Sequence, residues 1–560
     1  MVEKYDVIIV GAGVGGSSAA YYLAKKGYNV ILLEKAHVPG QRNVTGGVIY
    51  IDYLEGYGLK DLFPKLLEEA PLERKITRYS MWMLSRERKF DGEYRYKKLD
   101  LSETFLDRFI HGEALKSEGY SVLRAKFDKW LASKVVDAGG IVVTDTSTES
   151  LIKENGKIIG VRTHKEEIYA DLVIDASGVT STLVIDAGLR GYLSPEDLYH
   201  GIKHVYELNE GEIEQRFGVK KGEGVAIAVA GDFMYGAKGG GFIYTNKNTI
   251  SIGIVVDMKS MLEAIRRNID KIGKPLDMLE EMEAHPEISK LIEGARLVEY
   301  SAHNVPKGRR VFLKKPYTSG YLVIGDALGA FVKIGAMIDG MRRAIATGIM
   351  AAKTYEYARS RGKFDETTLS LYTELLKPVA SDIERYKRES IVSESSLVYG
   401  FGYKLALSTL GKTRSANKLA SRDTRDAIQR VQSRTSLLVY KENKEYIHID
   451  VDYEKASRDP HKLWVAACPV NCYTIVVEGK GVFASFKDLY NYNLEYIKKT
   501  RRNIDPAEVL SITWRDIEKS TLRFDHVACI ECGTCWFIGP PNIIRFHHQR
   551  DGKGVKFAYG

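Results

Sequence analysis

Residues 5–34 read YDVIIVGAGVGGSSAAYYLAKKGYNVILLE, and the order of residue types in this stretch decides the fold class. Tyr5 to Val10 is apolar and β-branched, Ser17 to Lys26 is rich in helix formers, and Val30 to Leu33 reads as a second buried strand. Gly11, Gly13 and Gly16 stand between the first strand and the helix in the spacing G-x-G-x-x-G. The first permits a tight turn, the second lets backbone approach a pyrophosphate, and the third lets helix and strand pack closely. The free N–H groups and positive dipole end of the helix then face the phosphates. Glu34 closes the second strand, 18 residues past Gly16, where a carboxylate accepts hydrogen bonds from a ribose. Strand, helix and acid together predict a dinucleotide site at the head of an α/β domain.

Further along the chain, Val323-Ile-Gly325-Asp326-Ala327 is an apolar strand ending in Gly-Asp, followed by a run read as helical that contains Gly335, Gly340 and Gly348. It resembles the second FAD fingerprint of the glutathione-reductase-like flavoproteins, which implies that Asp326 holds the ribityl chain. Arg124, in LRAKFDKWL, matches the R-x-x-F-D-x-x-L segment of that superfamily, whose arginine helps to hold the cofactor. Asp175-Ala-Ser-Gly178 matches its strand end. FAD is therefore the expected cofactor, with Gly11, Gly13, Gly16, Glu34, Arg124, Gly325 and Asp326 as its binding residues. No second strand–helix G-x-G-x-x-G follows; the glycines at 236–241 (GAKGGG) lie in a strand-rich region. A dedicated NAD(P)H domain is not expected.

The chain has 560 residues, enough by length for three or four domains. Its 44% apolar and 28% charged residues fit a globular protein with ample core. The net charge of +9 suits acidic partners or anionic lipid, and no RNA- or DNA-binding motif accompanies it, so nucleic acid is not an expected partner. MVEKYDVIIVGAG enters a strand at once, and no signal peptide is expected. The nearest candidate for a membrane span, Leu322 to Ile338, contains Asp326 and Lys333. A cytoplasmic location follows, with surface attachment to a membrane open. Alternating strands and helices are expected to about residue 185, helices from about 365 to 436, and short strands from about 445. The basic stretch Lys412, Arg414, Lys418, Arg422, Arg425, Arg430 and Arg434, against only Asp423 and Asp426, reads as a solvated helical face or a docking surface.

All five cysteines lie after residue 467, which argues for a metal site rather than a disulfide scaffold. Two-cluster ferredoxins use C-x2-C-x2-C-x3-C-P, the last cysteine serving the other cluster. A copy ending at Cys468-Pro469 would put its first three ligands at Arg458, His461 and Trp464, none of them cysteine. A copy starting at Cys529, Cys532 and Cys535 has Gly539 in fourth place. One ligand set is lost whole and the other survives whole, predicting one [4Fe–4S] cluster on Cys468, Cys529, Cys532 and Cys535. Structural zinc at C-x2-C spacing is the alternative metal. Cys472 is the alternative to Cys468, or else a small buried packing residue.

Taken together, the FAD strand, PGQRNVTGG at 39–47, VLRAKFDKWL at 122–131, GGGFIYTN at 239–246, AHNVP at 302–306 and CIECGTC at 529–535 resemble electron transfer flavoprotein:quinone oxidoreductase in its Fix-type form, with the ferredoxin-like partner fused at the C-terminus. The resemblance implies a glutathione-reductase-like FAD domain (1–200 with 300–360), a strand-rich quinone domain (200–300), a helical segment (361–440) and a ferredoxin-like iron–sulfur domain (441–560). It also implies electron transfer flavoprotein (alpha and beta subunits) as donor, a membrane quinone as acceptor, and a peripheral position on the cytoplasmic face of the membrane. Quinone would meet the backbone at Gly239 and Gly240, where no side chain blocks a flat ring. No general acid or base is singled out. An apolar patch must meet the lipid, for which Met258 to Leu279 and Ala330 to Met337 are the candidates. A geranylgeranyl-reductase-like enzyme acting on isoprenoid lipids and a non-catalytic electron-wiring subunit are the alternative readings.

Overall fold

Strand Lys4–Val10 lies at the centre of a parallel sheet, between Val30–Leu33 and Glu167–Asp175. Ile141–Val143 extends it on one side and Tyr321–Val323 on the other, all parallel. Val7, Ile8 and Ile9 are fully buried, as a parallel sheet covered on both faces requires. Thr148–Glu154 and Lys157–Thr163 form an antiparallel hairpin that joins the Glu167–Asp175 strand. Because Val10, Leu33, Asp175 and Val323 are register partners across this sheet, Gly11, Glu34, Ala176 and Ile324 all emerge at one edge. This is the carboxyl edge, where open α/β sheets bind their ligands. The structure is a computed structural model that describes residues 4–44, 47–88, 94–102, 117–334, 337–393, 403–416, 423–443, 445–500, 504–539 and 542–560.

A second, ten-stranded sheet is mostly antiparallel. Its path runs Arg296–Pro306, Leu198–Glu207, Thr249–Asp257, Gly239–Thr245, Glu223–Gly231, Lys75–Arg88, Tyr94–Asp100 and Lys412–Ala416. The strand-rich unit is thus wider than the expected 200–300: residues 48–121 supply strands to it rather than continuing the strand–helix alternation. Lys412–Ala416 is likewise a strand paired with Tyr94–Asp100, where a helix was expected. Local composition does not show this, because the pairing partner lies some three hundred residues away. After Val323 comes one short helix, Gly325–Leu328; residues 332–334 and 337–339 then pair as antiparallel strands, and the long helix begins only at Met341. Gly335 lies outside the described residues.

The insertion at 257–292 folds as three helices, Met258–Arg267, Pro275–Glu283 and Pro286–Ser289. It is not a lipid-facing patch: Met258, Met261, Ile265, Ile269, Ile272, Met278 and Leu279 are fully buried. They share one core with Trp464, Val465, Ile530 and Phe537 of the cysteine-bearing C-terminal module. Ala330, Phe331 and Val332 are also buried, which removes the described part of the second candidate patch. Three residues of the basic stretch pair with the same insertion. Arg430 pairs with Asp277 and Glu280 at 2.7 Å each, Arg434 with Glu280 at 3.0 Å, and Arg414 with Glu287 at 3.0 Å. Arg425 pairs with Asp423 at 2.6 Å; Lys418 and Arg422 lie outside the described residues.

The C-terminal module consists of small antiparallel pairs, Val439–Lys441 with Gly554–Lys556 and Ile449–Val451 with Ile544–Phe546, and a three-stranded sheet, Gly481–Phe483, Tyr473–Val477 and Thr521–Phe524. Between Cys468 and Cys529 stand the helices Phe486–Thr500 and Pro506–Lys519. Buried Lys274 joins insertion and module, its Nζ donating to the carbonyls of Val465 (2.7 Å) and Cys468 (2.9 Å). Lys274→Met leaves both buried carbonyls unpaired and is expected to lower stability by about 2 kcal/mol or more, read as a lower denaturant midpoint. An unchanged midpoint would show that the two carbonyls do not depend on this ammonium.

Candidate functional site

One elongated cavity runs along the carboxyl edge of the parallel sheet and under the second sheet. Its lining passes from Thr146, Ser147 and Glu34, past Gly11, Gly13 and Gly16, to Gly325 and Asp326, and ends among Gly239, Gly240 and Tyr244. Every residue assigned from sequence to FAD or quinone therefore faces the same space. A Cβ on Gly16 would lie 2.0 Å from the carbonyl oxygen of Gly11, so only glycine allows the helix to start this close to the strand.

At one end the Glu34 carboxylate accepts the N–H of Ala12 (2.9 Å) and of Ala36 (2.8 Å). Burial raises its pKa and these two donors oppose the rise. The glycine loop and Glu34 are thus one hydrogen-bonded unit. Arg124, at the start of helix Arg124–Asp137, makes a two-pronged contact with Asp128, Nε to Oδ1 at 2.8 Å and Nη2 to Oδ2 at 2.7 Å. Asn43 Nδ2 reaches the same Asp128 Oδ2 at 2.5 Å. The guanidinium is therefore oriented by protein while still lining the cavity beside Gly13. Asp326 lies in the short helix Gly325–Leu328. Burial pushes its pKa up to about 6, against the pull of Arg124. Asp175 serves the wall rather than the cavity, accepting from Ser177, Ser181 and Tyr321.

Gly239 and Gly240 open the strand Gly239–Thr245 and are not a hairpin turn. Gly239 has φ +153°, and a Cβ there would lie 2.3 Å from Val255 O. Nearby, sequence reasoning missed Lys203 and His303, both on the cavity wall. Lys203 donates to the Gly560 carbonyl at 2.6 Å, and burial brings its ammonium down to about 8. Burial lowers His303 to about 4, which keeps the imidazole neutral. Both sit in strands; Lys203 has no local motif to mark it, and His303 stood within AHNVP without an assigned role.

The cysteine-bearing loop forms part of the same wall. Ile530 and Glu531, between Cys529 and Cys532, line the cavity together with Lys35, Arg42 and His548. Glu531 forms ion pairs with Arg42 and with Lys35, the latter at 3.1 Å, and these cations hold its carboxyl well below the usual range against the effect of burial. Its backbone has φ +52°. Asn304 Nδ2 donates to Cys532 O at 2.8 Å, and Gly533 packs against Thr180. Glu531 stood within CIECGTC and Arg42 within PGQRNVTGG, neither with an assigned role.

The donor set suits an iron–sulfur cluster. Cys468 Sγ accepts the N–H of Cys472 at 3.3 Å, Cys529 Sγ accepts the N–H of Glu531 at 3.4 Å, and Cys532 Sγ lies 3.2 Å from Thr534 Oγ1. N–H···S bonds of this kind accompany cluster thiolates. Cys468, Cys529, Cys532 and Cys535 are near enough to perturb one another's ionisation. Burial opposes ionisation of Cys468, yet the neighbouring Cys472 and the Lys274 ammonium hold its thiol below the usual range. Among the described residues, no group of three or more His, Cys, Asp or Glu side chains is placed to hold a single metal ion; a four-iron cube separates its thiolates more widely. Cys472 is buried, and its thiol lies near enough to Cys468 and Cys529 for them to push its pKa well up.

Residues 6–215 match the family described as FAD dependent oxidoreductase. Protein FixC of Bradyrhizobium diazoefficiens is 36% identical over 392 residues, which is 69% of this chain and 84% of that protein. Protein FixC of Escherichia coli K12 is 35% identical over 376 residues, covering 67% and 82%. Among solved structures, a geranylgeranyl bacteriochlorophyll reductase-like protein from Thermoplasma acidophilum shares the fold, with TM-score 0.54 and 20% identity over 73% of this chain and 91% of its own.

The Asp326 carboxyl gives a pH signature. Its folded pKa of about 6 lies above the ordinary 3.8, so the folded chain binds more protons than the unfolded one between these values. Stability contributed by the protonated form is full below about pH 4 and is lost as pH rises through 6. In protein stripped of FAD, the melting temperature should fall over this window relative to Asp326→Asn. A rise relative to that variant would contradict the assignment. Asp326→Ala and Glu34→Ala should each weaken FAD retention without changing iron content, and released FMN would exclude FAD.

Proposed function

The chain belongs to the FixC family of FAD-dependent oxidoreductases, and on that premise we propose that it takes electrons from an electron transfer flavoprotein and delivers them to a membrane quinone, with FAD and one [4Fe–4S] cluster as its cofactors. The observation that carries this reading is the shared wall: Ile530 and Glu531 of the cysteine loop line the same cavity as Gly11, Gly13 and Asp326. When bound, FAD and cluster supply two-electron and one-electron redox chemistry, which a protein orients and tunes. Glu34 would hold the ribose, the glycine loop the pyrophosphate, and Asp326 with Arg124 the middle of the cofactor. Cys468, Cys529, Cys532 and Cys535 would hold the cluster in a ferredoxin-like module.

The quinone end of the cavity is the backbone of Gly239 and Gly240, flanked by Phe242 and Tyr244. Forming a quinol requires protons. Lys203, brought down to about 8 by burial, is a cavity-lining group able to hold or release one at Nζ near neutral pH. Neutral His303 offers only a hydrogen bond there.

A quinone tail favours lipid by about 0.8 kcal/mol per CH₂, so access from a bilayer surface belongs to the proposal. Among the described residues, no helix is long and apolar enough to cross a membrane. Helix Tyr403–Leu410 instead exposes Leu405 (51%) and Leu410 (68%) beside exposed Lys412. This suits peripheral contact with the cytoplasmic leaflet better than the buried 258–279 segment.

Two experiments test this reading. Anaerobically reconstituted protein should hold about four irons per chain with negligible zinc; Cys468→Ser should remove or convert the cluster, and Cys472→Ser should retain it. In vesicles, the protein should oxidise reduced electron transfer flavoprotein and reduce a long-tailed quinone. Gly240→Ala, whose Cβ comes within 2.8 Å of Val229 O, should lower quinone turnover about tenfold or more, equivalent to about 1.4 kcal/mol, with FAD and iron contents unchanged. Absence of quinone reduction in fully loaded protein, or saturation of an isoprenoid instead, would overturn the assignment.

A further inference from the structure

His448 is buried at the back of the cysteine loop, its Nε2 3.2 Å from Cys529 Sγ. Which ring nitrogen carries the proton decides whether this contact is an N–H···S bond or a lone pair facing sulfur. The surrounding amides settle it. Backbone N–H groups only donate, and those of Glu445 and Tyr446 reach Asn443 Oδ1 at 3.3 and 3.1 Å. That atom is therefore the amide oxygen, and Nδ2 at the other end is the NH₂ group. Asn443 Nδ2 lies 3.2 Å from Gln549 Oε1, which must accept. The remaining Gln549 atom, Nε2, then donates to His448 Nδ1 at 2.8 Å. A neutral imidazole accepting at Nδ1 carries its proton at Nε2. Asn443 and Gln549 are 5% exposed and His448 is 0% exposed, so water has little access to replace a partner in the relay.

We propose that this amide relay locks His448 as the Nε2–H tautomer, and that the resulting N–H···S bond to Cys529 raises the redox potential of the cluster. The inference rests on the reading of Cys529 as a cluster ligand. A hydrogen bond to a ligand sulfur favours the more negative, reduced cluster, and such bonds are one of the settings of iron–sulfur potentials. His448 is a positioning residue on this account. It adds a side-chain donor to the backbone N–H of Glu531 already on the same sulfur.

The test is a redox titration of the full reconstituted chain, followed by EPR, with iron measured on each sample. His448→Leu should lower the ratio of reduced to oxidised cluster at fixed ambient potential about tenfold, which is 59 mV for a one-electron couple. Gln549→Leu keeps the imidazole but removes its lock, and should shift the potential the same way with four irons retained. Wild-type potential in both variants would overturn the proposal, and a shift in His448→Leu alone would overturn the relay. If His448→Leu loses its iron, Gln549→Leu decides. Wild-type protein that takes up no cluster would instead overturn the reading of the cysteines.

Discussion

The Glu531 carboxylate, held between Arg42 and Lys35, is the contact on which the arrangement of the site depends. Glu531 belongs to the cysteine loop, whereas Arg42 and Lys35 belong to the nucleotide-binding unit. The Glu531 side chain is 2% exposed and that of Arg42 7%. A carboxylate this far from water is tolerated only if it is paired, and losing one partner of such a pair is strongly destabilising. The pair therefore has one geometry, which places the cysteine loop against the cavity wall. Asn304 reaching Cys532 O and Gly533 seated on Thr180 fix the same loop from two further directions.

A second constraint comes from the insertion at 257–292. Its apolar residues have no solvent-facing role, because they complete a core shared by the second sheet and the C-terminal module. Lys274, Asp277 and Glu280 are carried into that interface and are satisfied there by Val465 O, Cys468 O, Arg430 and Arg434. The basic stretch that looked like a free surface is in part the counter-charge of this buried acidic patch. Buried ions add little net stability over apolar packing, but they specify one docking arrangement, which suits a loop that must stay registered against a cavity.

What could be read in the sequence by itself were the features whose physics is local. A glycine spacing dictates a turn whichever chain surrounds it, so the nucleotide loop, the Glu34 strand end and the Gly325-Asp326 strand were legible. So were the surviving cysteine spacing and the FixC-type resemblance. Only the tertiary structure decided what long-range pairing controls. Residues 75–88 and 412–416 became strands of the second sheet because their partners lie far away in the chain. Met258 to Leu279 became core because another module covers it, which an apolar count cannot distinguish from a lipid-facing surface. Lys203 and His448 carry no motif, and His303 and Glu531 sat in legible segments that assigned them no role. Their roles arise from burial and from the groups that burial brings within hydrogen-bonding distance, and those are properties of the folded chain.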